Sequence, residues 1–155
     1  MRKINLVLFG LLLMTVMVSG CAFNETTSAN RIESREKITV FKSPDCGCCV
    51  GWIAEMERNG YDVEAVETTD LSTIKAKYNI PVNMESCHTA VVGDYFIEGH
   101  VPVEAVNKLL EEKPDIDGIA LPRMPAGSPG MPGVKMAPFQ IYALSNSQIS
   151  DFMAI

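Results

Sequence analysis

Four cysteines and a histidine stand out in the sequence because of their spacing. Cys46, Cys48 and Cys49 fall within one short turn, and Cys87 is followed directly by His88. Thiolate and imidazole together suit soft or borderline metal ions such as Cu(I) and Zn(II), and closely spaced thiols also suit redox exchange. Cys48 and Cys49 are adjacent, so they cannot connect distant segments, and a bridge between them would be strained. The spacing therefore favours chemistry over structural disulfides.

The N-terminus has the pattern of a bacterial export signal. Arg2 and Lys3 precede an apolar stretch, residues 4–18, and small residues precede Cys21. About 15 apolar residues are too few for a membrane span, which needs roughly 20. Residues 18–21, with the sequence VSGC, resemble the lipobox of bacterial lipoproteins, in which the cysteine is lipidated and becomes the new N-terminus.

We predict a signal peptide at residues 1–20, a lipid anchor at Cys21 and a flexible tether at residues 21–37. By the same resemblance, Ala22 after the cysteine implies the outer membrane. The expected location is therefore the periplasm, with the chain anchored to that membrane. The alternative is an ordinary signal peptide with a chance cysteine near its cleavage site.

Beyond the tether, the chain is expected to form one acidic domain. Its 155 residues suffice for one modest domain. Its formal net charge of −6 gives no basic surface for nucleic acid binding. We predict the folded domain at residues 38–115. Residues 118–138 are too rich in proline and glycine for a helix or a central strand, and residues 139–144 indicate one further strand. The segment 116–155 is therefore expected to pack on the domain as a loop and a C-terminal strand, with the loop either ordered or a mobile flap.

The periodicities between residues 38 and 114 predict the element order β-α-β-α-β-β-α. Alternating apolar residues indicate strands, apolar stripes at helical spacing indicate helices, and Gly93-Asp94 suits a type II′ hairpin turn. The predicted elements are a strand at 38–41, a helix from Cys46 with Asp45 as its cap, a strand at 61–67, a short helix capped by Asp70, strands at 89–92 and 95–98, and a helix between Pro102 and Pro114. This is the order of a thioredoxin-like core, so the predicted fold class is α/β and thioredoxin-like, with a Gly/Pro/Met-rich C-terminal extension.

Two predicted helices carry apolar stripes that define their buried faces. The stripe of the first helix consists of Cys49, Trp52, Ile53 and Met56. The stripe of the second helix consists of Leu71, Ile74 and Tyr78.

The predicted topology brings the two groups of cysteines together. In a thioredoxin-like core, the loop after the first strand delivers a Cys-x-x-Cys pair to the N-terminus of the first helix, where the helix dipole stabilises thiolate. Cys46 and Cys49 have that spacing, and Cys48 lies between them. The residue just before the third strand lies beside this pair, so Cys87 and His88 are expected there. Four sulfurs and an imidazole should therefore meet.

Metal binding and thiol exchange both fit this cluster. In the periplasm, copper is the metal that the cell more urgently has to control, so it is favoured over zinc. Adjacent Cys48 and Cys49 would chelate one tetrahedral ion poorly. Bridging thiolates relieve that difficulty, so we expect a small multinuclear Cu(I)-thiolate cluster. The alternative is a thiol-disulfide oxidoreductase in which Cys46 attacks and Cys49 resolves. An iron-sulfur electron carrier is disfavoured, because the cysteines are crowded.

Four motifs resemble the CopG family of exported copper-associated proteins. They are Lys42-Ser43-Pro44-x-Cys46-Gly47-Cys48-Cys49-x-x-Trp52, Ser86-Cys87-His88-Thr89-Ala90, Glu98-Gly99-His100-Val101-Pro102 and Met124-Pro125-x-Gly127-Ser128-Pro129-Gly130-Met131. The match covers roughly residues 38–144 in the same order. The resemblance implies a thioredoxin-like fold, copper bound at the cysteine cluster and a role in copper resistance. It leaves open whether the protein is a copper oxidoreductase that cycles Cu(I) and Cu(II).

The expected metal ligands are Cys46, Cys48, Cys49, Cys87, His88 and His100. His88 is favoured as a ligand by its neighbour Cys87, whereas His100 has the alternatives of a helix cap or a surface residue. Trp52 is expected to pack under the cluster and make it drier. Other periplasmic copper-handling proteins are the expected partners.

Three methionines in the Gly/Pro-rich segment have two interpretations. Met124, Met131 and Met136 would serve as packing for an irregular loop or as thioether ligands that hand Cu(I) to the cluster. The packing interpretation is the favoured one.

Overall fold

The computed structural model describes residues 35–146 and 148–155. The predicted signal peptide, Cys21 and most of the predicted tether lie outside the described residues.

In the described part of the chain, seven strands form one mixed sheet. The strands are β1 (Arg35–Lys42), β2 (Tyr61–Glu67), β3 (His88–Val92), β4 (Tyr95–Gly99), β5 (Gly118–Leu121), β6 (Gln140–Ser145) and β7 (Gln148–Ala154). The helices are α1 (Gly47–Arg58), α2 (Leu71–Lys77) and α3 (Val103–Glu112), with a short 3-10 helix at Val82–Met84. The strand order is β2-β1-β3-β4-β5-β6-β7. Within the described ranges, none of these helices is both long and apolar enough to cross a membrane.

The predicted element order and the thioredoxin-like fold class are confirmed. Strands β1 and β2 run parallel on either side of the α1 connection, and β3 pairs antiparallel with both β1 and β4. Gly93 opens the β3–β4 turn with φ of +54°, a conformation that costs glycine little. Asp70 caps α2 as predicted, because its carboxylate accepts a hydrogen bond from the Thr73 amide.

The largest hydrophobic core joins α1 and α3 to one face of the sheet. Trp52 and Met56 of α1 and Leu109 of α3 are fully buried there with Ile97 of β4. Successive strand residues point to opposite faces, so Phe96 belongs to a second, smaller core. Because α1 is fixed by this packing, its N-terminal turn is held in place at one end of the sheet.

Two predicted details of the helices are wrong. Cys46, rather than Asp45, is the N-cap residue of α1, and no side-chain hydrogen bond caps that helix. In α2 the buried residue is Lys75, whereas the predicted apolar stripe is only half-buried. The predicted stripe includes Ile74, whereas the buried residue is its neighbour Lys75. Helical spacing cannot predict this, because Lys75 is buried by its ion pair with the distant Glu98.

The segment predicted to hold a single strand holds three. Gly118 to Leu121, assigned to the Pro/Gly-rich loop, forms the interior strand β5 between β4 and β6. A Cβ atom on Gly118 would lie 2.3 Å from the Phe96 carbonyl oxygen, so glycine permits this strand to approach β4. The four-residue run is too short to show a period, which is why sequence patterning missed it. The predicted strand at 139–144 corresponds to β6, and β7 was not predicted.

We expect Gly118→Ala to destabilise the fold by about 1–3 kcal/mol, because the added methyl group meets backbone and cannot be relieved by a side-chain rotation. Gly47→Ala is the matched control, since a Cβ atom there has no heavy atom within 4 Å. Urea unfolding followed by circular dichroism measures both. Equal stability of the two variants would contradict the close packing of β5 against β4.

Candidate metal centre

The loop between β1 and α1 is held by a buried lysine. Lys42 is 4% exposed, and its Nζ donates to the carbonyl oxygens of Ser43 at 3.2 Å and Pro44 at 3.4 Å. Its charge is balanced by the Glu67 carboxylate at 3.1 Å. Loop carbonyls next to a helix N-terminus need donors, and Lys42 supplies them. The position of Cys46 at the start of α1 follows from these contacts.

The structure brings together the four cysteines that the topology placed near one another. Their sulfurs all lie within 4.8 Å of one another. Cys48 Sγ is 3.6 Å from Cys46 Sγ and 3.8 Å from Cys87 Sγ, and Cys87 Sγ is 3.7 Å from Cys49 Sγ. Cys49 is fully buried, while the other three are half-buried. The cluster is therefore built from two segments, one on α1 and one before β3.

A disulfide joins Cys46 to Cys49, with a Cα–Cα distance of 5.4 Å, and leaves Cys48 and Cys87 as free thiols. The cysteine spacing favours chemistry over structural disulfides, and it does not predict that this pair is bridged. It connects no distant segments, because its two residues belong to one helical turn. The bridge is thus the oxidised form of a Cys-x-x-Cys pair.

His100 is oriented towards Cys87 by the proline-rich segment. Its Nδ1 donates to the Pro129 carbonyl oxygen at 2.7 Å, so the unprotonated Nε2 faces Cys87 Sγ at 2.8 Å. Histidines that bind metals commonly donate their second nitrogen to a carbonyl in this way. His100 is fully buried, so its alternative as a surface residue is wrong.

His88 lies in the same group and is also fully buried. Its Nδ1 is 3.5 Å from Cys87 Sγ, and its ring meets the His100 ring edge-on with centroids 5.0 Å apart. Trp52 packs against the other side, with ring centroids 4.8 Å apart. His88 Nε2 has no hydrogen-bond partner among the described residues. A purely structural buried histidine would satisfy its polar atoms, and this one leaves a nitrogen without a partner.

Burial keeps both imidazoles neutral and the Cys87 thiol protonated. It lowers the pKa of His88 to about 3, with the nearby His100 and Lys75 adding to the effect, and lowers the pKa of His100. Burial, together with the neighbouring Cys48, raises the pKa of the Cys87 thiol to about 12. Neutral imidazole is the form that binds metal, whereas a metal must displace the proton of the thiol. A protonated, desolvated thiol is a poor nucleophile, which disfavours attack by Cys87 on disulfides.

A buried ion pair supports the loop that carries Cys87 and His88. Glu98 of β4 is fully buried and accepts hydrogen bonds from the Ser86 amide at 2.5 Å and the Thr89 hydroxyl at 2.6 Å. Lys75 of α2 pairs with the same carboxylate and donates to Thr89 Oγ1 at 3.3 Å. These contacts lie on both sides of Cys87-His88, so they fix its conformation. Sequence patterning does not predict this pair, and its only signal is an acid, Glu98, directly after the apolar residues 95–97.

The Gly/Pro/Met-rich segment is an ordered loop packed against α1 at the cluster. A Cβ atom on Gly51 would lie 2.7 Å from the Gly130 Cα, and one on Gly130 would lie 2.3 Å from the Cys48 carbonyl oxygen. Gly130 also has φ of +80°, which favours glycine. The two glycines therefore let the backbones touch, and this contact sets Pro129 beside His100.

The methionines of this segment are not buried in a core. Met124 is 44% exposed and Met136 is 89% exposed, and Met131 is half-buried. The interpretation of Met124 and Met136 as packing residues is therefore wrong.

Comparison with solved structures identifies the family. The chain is 39% identical to the structure "Copper resistance protein copG- Form 2". The match covers 77% of this chain and 98% of that chain, with a TM-score of 0.72. This chain belongs to the CopG family of copper resistance proteins. A second structure, "Copper resistance protein copG- Form 1", has the same identity and TM-score, with 77% and 97% covered. No curated protein sequence gives a significant match.

A family model described as "Protein of unknown function, DUF411" matches residues 84–131. That range contains Cys87, His88, His100 and Pro129, and it ends before β6. The CopG family resemblance predicted from the four sequence motifs is confirmed, and the structural match extends it to most of the chain.

Glu98→Ala is expected to lower the free energy of unfolding by about 3–5 kcal/mol, because Lys75 is left buried and unpaired. The double variant Lys75→Met/Glu98→Gln should lose much less, since it removes both charges together and keeps groups that bond to Ser86 and Thr89. Chemical denaturation of the three proteins gives the comparison. A single variant as stable as the double variant would show that the ion pair does not hold this region.

Proposed function

We propose that this chain is an exported copper-binding protein of copper resistance that captures Cu(I) at Cys46, Cys48, Cys49 and Cys87. His88 and His100 supply imidazole nitrogens. One observation carries the proposal: the four cysteine sulfurs form one close group, and Cys87 belongs to a second with the two histidines. Copper is the cargo of this site, and the similarity to two copper resistance protein structures supports that choice of metal.

The donor set fits Cu(I) in its chemistry and in its surroundings. Thiolates and imidazoles are the ligands that soft first-row ions prefer. Cys49, Trp52 and His88 are fully buried, so the inner side of the site is dry. His88 Nδ1 also fits as a donor, because it lies 3.5 Å from Cys87 Sγ.

Charge and donor number favour several copper ions over one. Four thiolates and two imidazoles exceed the four positions of a tetrahedral ion. A single Cu(I) would also leave most of the thiolate charge uncompensated in a partly buried site, which is costly. Several Cu(I) ions sharing bridging thiolates relieve both problems. The proposed cluster is therefore multinuclear, and cycling between Cu(I) and Cu(II) is a further property it would permit.

The proposed cluster requires the Cys46–Cys49 bridge to be open. While the bridge is closed, neither of its sulfurs is a thiolate, so the full set of ligands exists only in the reduced protein. A disulfide of this kind suits an oxidising compartment. We place the protein in the periplasm, with a signal peptide at 1–20 and a lipid at Cys21 anchoring it to the outer membrane. Other periplasmic copper-handling proteins are its proposed partners.

A second candidate function is thiol-disulfide exchange through Cys46 and Cys49. The observation that favours it is the bridge itself, located at the N-terminus of α1, where thiolates are stabilised. Exchange would use Cys46 as the attacking thiol and the buried Cys49 as the resolving one. It gives no role to His88, His100 or the nearby free thiols, which is why copper binding ranks first.

Anaerobic Cu(I) titration of the fully reduced protein against a high-affinity chelator tests the proposal. We expect more than one copper per chain, with loss of titratable thiol. Cys48→Ser should lower the stoichiometry, because a bridging ligand is lost, yet it should leave any disulfide reductase activity through Cys46 and Cys49 unchanged. Cys21→Ser is the matched control and should bind as much copper as the parent chain. Failure to compete for copper, together with insulin reduction that survives Cys48→Ser, would favour the exchange function instead.

A further inference from the structure

Closing the Cys46–Cys49 bridge removes two of the six candidate donors and leaves a compact group intact. Cys87, His88 and His100 take no part in the bridge, and their donor atoms still lie within 4.8 Å of one another. Cys87 remains a free thiol in this state. The oxidised protein thus retains a donor set that is complete in itself.

We propose that Cys87, His88 and His100 form a separate one-copper site that works while the disulfide is closed. This inference rests on the proposed function only in taking copper as the cargo. It assigns to the oxidised protein a binding capacity that the cluster hypothesis gives only to the reduced one. The bridge then sets how much copper the chain holds: one ion when closed and several when open.

The two histidines are arranged as ligands independently of the bridge. The Pro129 carbonyl fixes the tautomer of His100, so its free nitrogen is aimed at Cys87 Sγ, 2.8 Å away. His88 Nδ1 approaches the same sulfur at 3.5 Å. Neither contact involves Cys46 or Cys49. The group is therefore preorganised by the Pro129 loop and by β3, not by the disulfide.

Charge balance also separates this group from the four-cysteine group. One thiolate and two neutral imidazoles around one Cu(I) give a complex with no net charge. Such a complex suits His88 and His100, which are both fully buried, because an uncompensated charge there would be costly. On binding, the thiol proton of Cys87 leaves to solvent as the sulfur–copper bond forms.

Opening the bridge needs an external dithiol, such as a reduced thioredoxin-like protein. The S–S bond of Cys46–Cys49 breaks, two electrons and two protons pass from the dithiol, and the dithiol closes to its own disulfide. The four-cysteine group then becomes available around an ion that is already bound at Cys87. The same sulfur belongs to both groups, so the first ion lies at the edge of the larger site.

The test is anaerobic Cu(I) titration of the oxidised protein, with the Cys46–Cys49 bridge verified by peptide mapping before and after. We expect one copper per chain, and a higher number when the same protein is first reduced with dithiothreitol, freed of that reductant by anaerobic gel filtration and then titrated. His100→Ala should weaken binding by the oxidised protein roughly tenfold or more. Val134→Ala is the control, and it should retain the single copper because its side chain is exposed on the same Gly/Pro/Met-rich segment and is not a candidate ligand. The double variant Cys46→Ser/Cys49→Ser should behave like the oxidised protein without any risk of disulfide exchange.

X-ray absorption of the oxidised wild-type protein gives a readout that needs no His variant to fold. Mixed nitrogen and sulfur ligation of the single copper would support the site. Absence of copper from the oxidised protein, with several ions in the reduced one, would overturn this inference and leave the proposed function standing. A single copper with sulfur ligands alone, unaffected by His100→Ala, would also overturn it. No copper in either state would instead refute the proposed function.

Discussion

A fully buried carboxylate, that of Glu98, holds together the half of the site that α1 does not supply. It binds the Ser86 amide and the Thr89 hydroxyl, and it is balanced by Lys75 from α2. A buried charge costs little free energy only when it is paired and hydrogen-bonded. The Glu98 carboxylate meets both conditions, and the same contacts fix the backbone on either side of Cys87 and His88. Three parts of the fold therefore depend on each other: β4 supplies the acid and α2 the base, while the start of β3 and the residue before it supply the imidazole and the thiol.

The end of β4 is equally constrained where it reaches the second histidine. A Cβ atom on Gly99 would lie 2.6 Å from the Ser86 side chain, so glycine lets the strand end press against the Cys87 loop. His100 follows at once and is held from outside by the Pro129 carbonyl. The Gly51–Gly130 contact then fixes Pro129 against α1. The proline-rich segment is thus part of the site, since it orients a candidate ligand and covers the first turn of the helix.

Much of this arrangement follows from the sequence. The spacing of apolar residues identifies the strands and helices, one hairpin turn is recognisable, and together they determine the order of the elements. That order alone places Cys87-His88 beside Cys46 and Cys49, although some 40 residues separate them along the chain. What could not be predicted depends on contacts between distant side chains. The pairing of Lys75 with Glu98, the hydrogen bond from His100 to Pro129 and the strand at Gly118 leave no periodic signal. The closed bridge reflects an oxidation state, which spacing does not determine.

The reduced cysteine cluster is proposed to bind several Cu(I) ions that share thiolates. Copper X-ray absorption on the reduced, copper-loaded protein is the decisive measurement, because it reports ligand type and neighbouring metals together. We expect a sulfur-dominated first coordination shell with a nitrogen contribution, and scattering from a second copper at short distance. A spectrum with no copper neighbour, at full loading of the reduced protein, would contradict it.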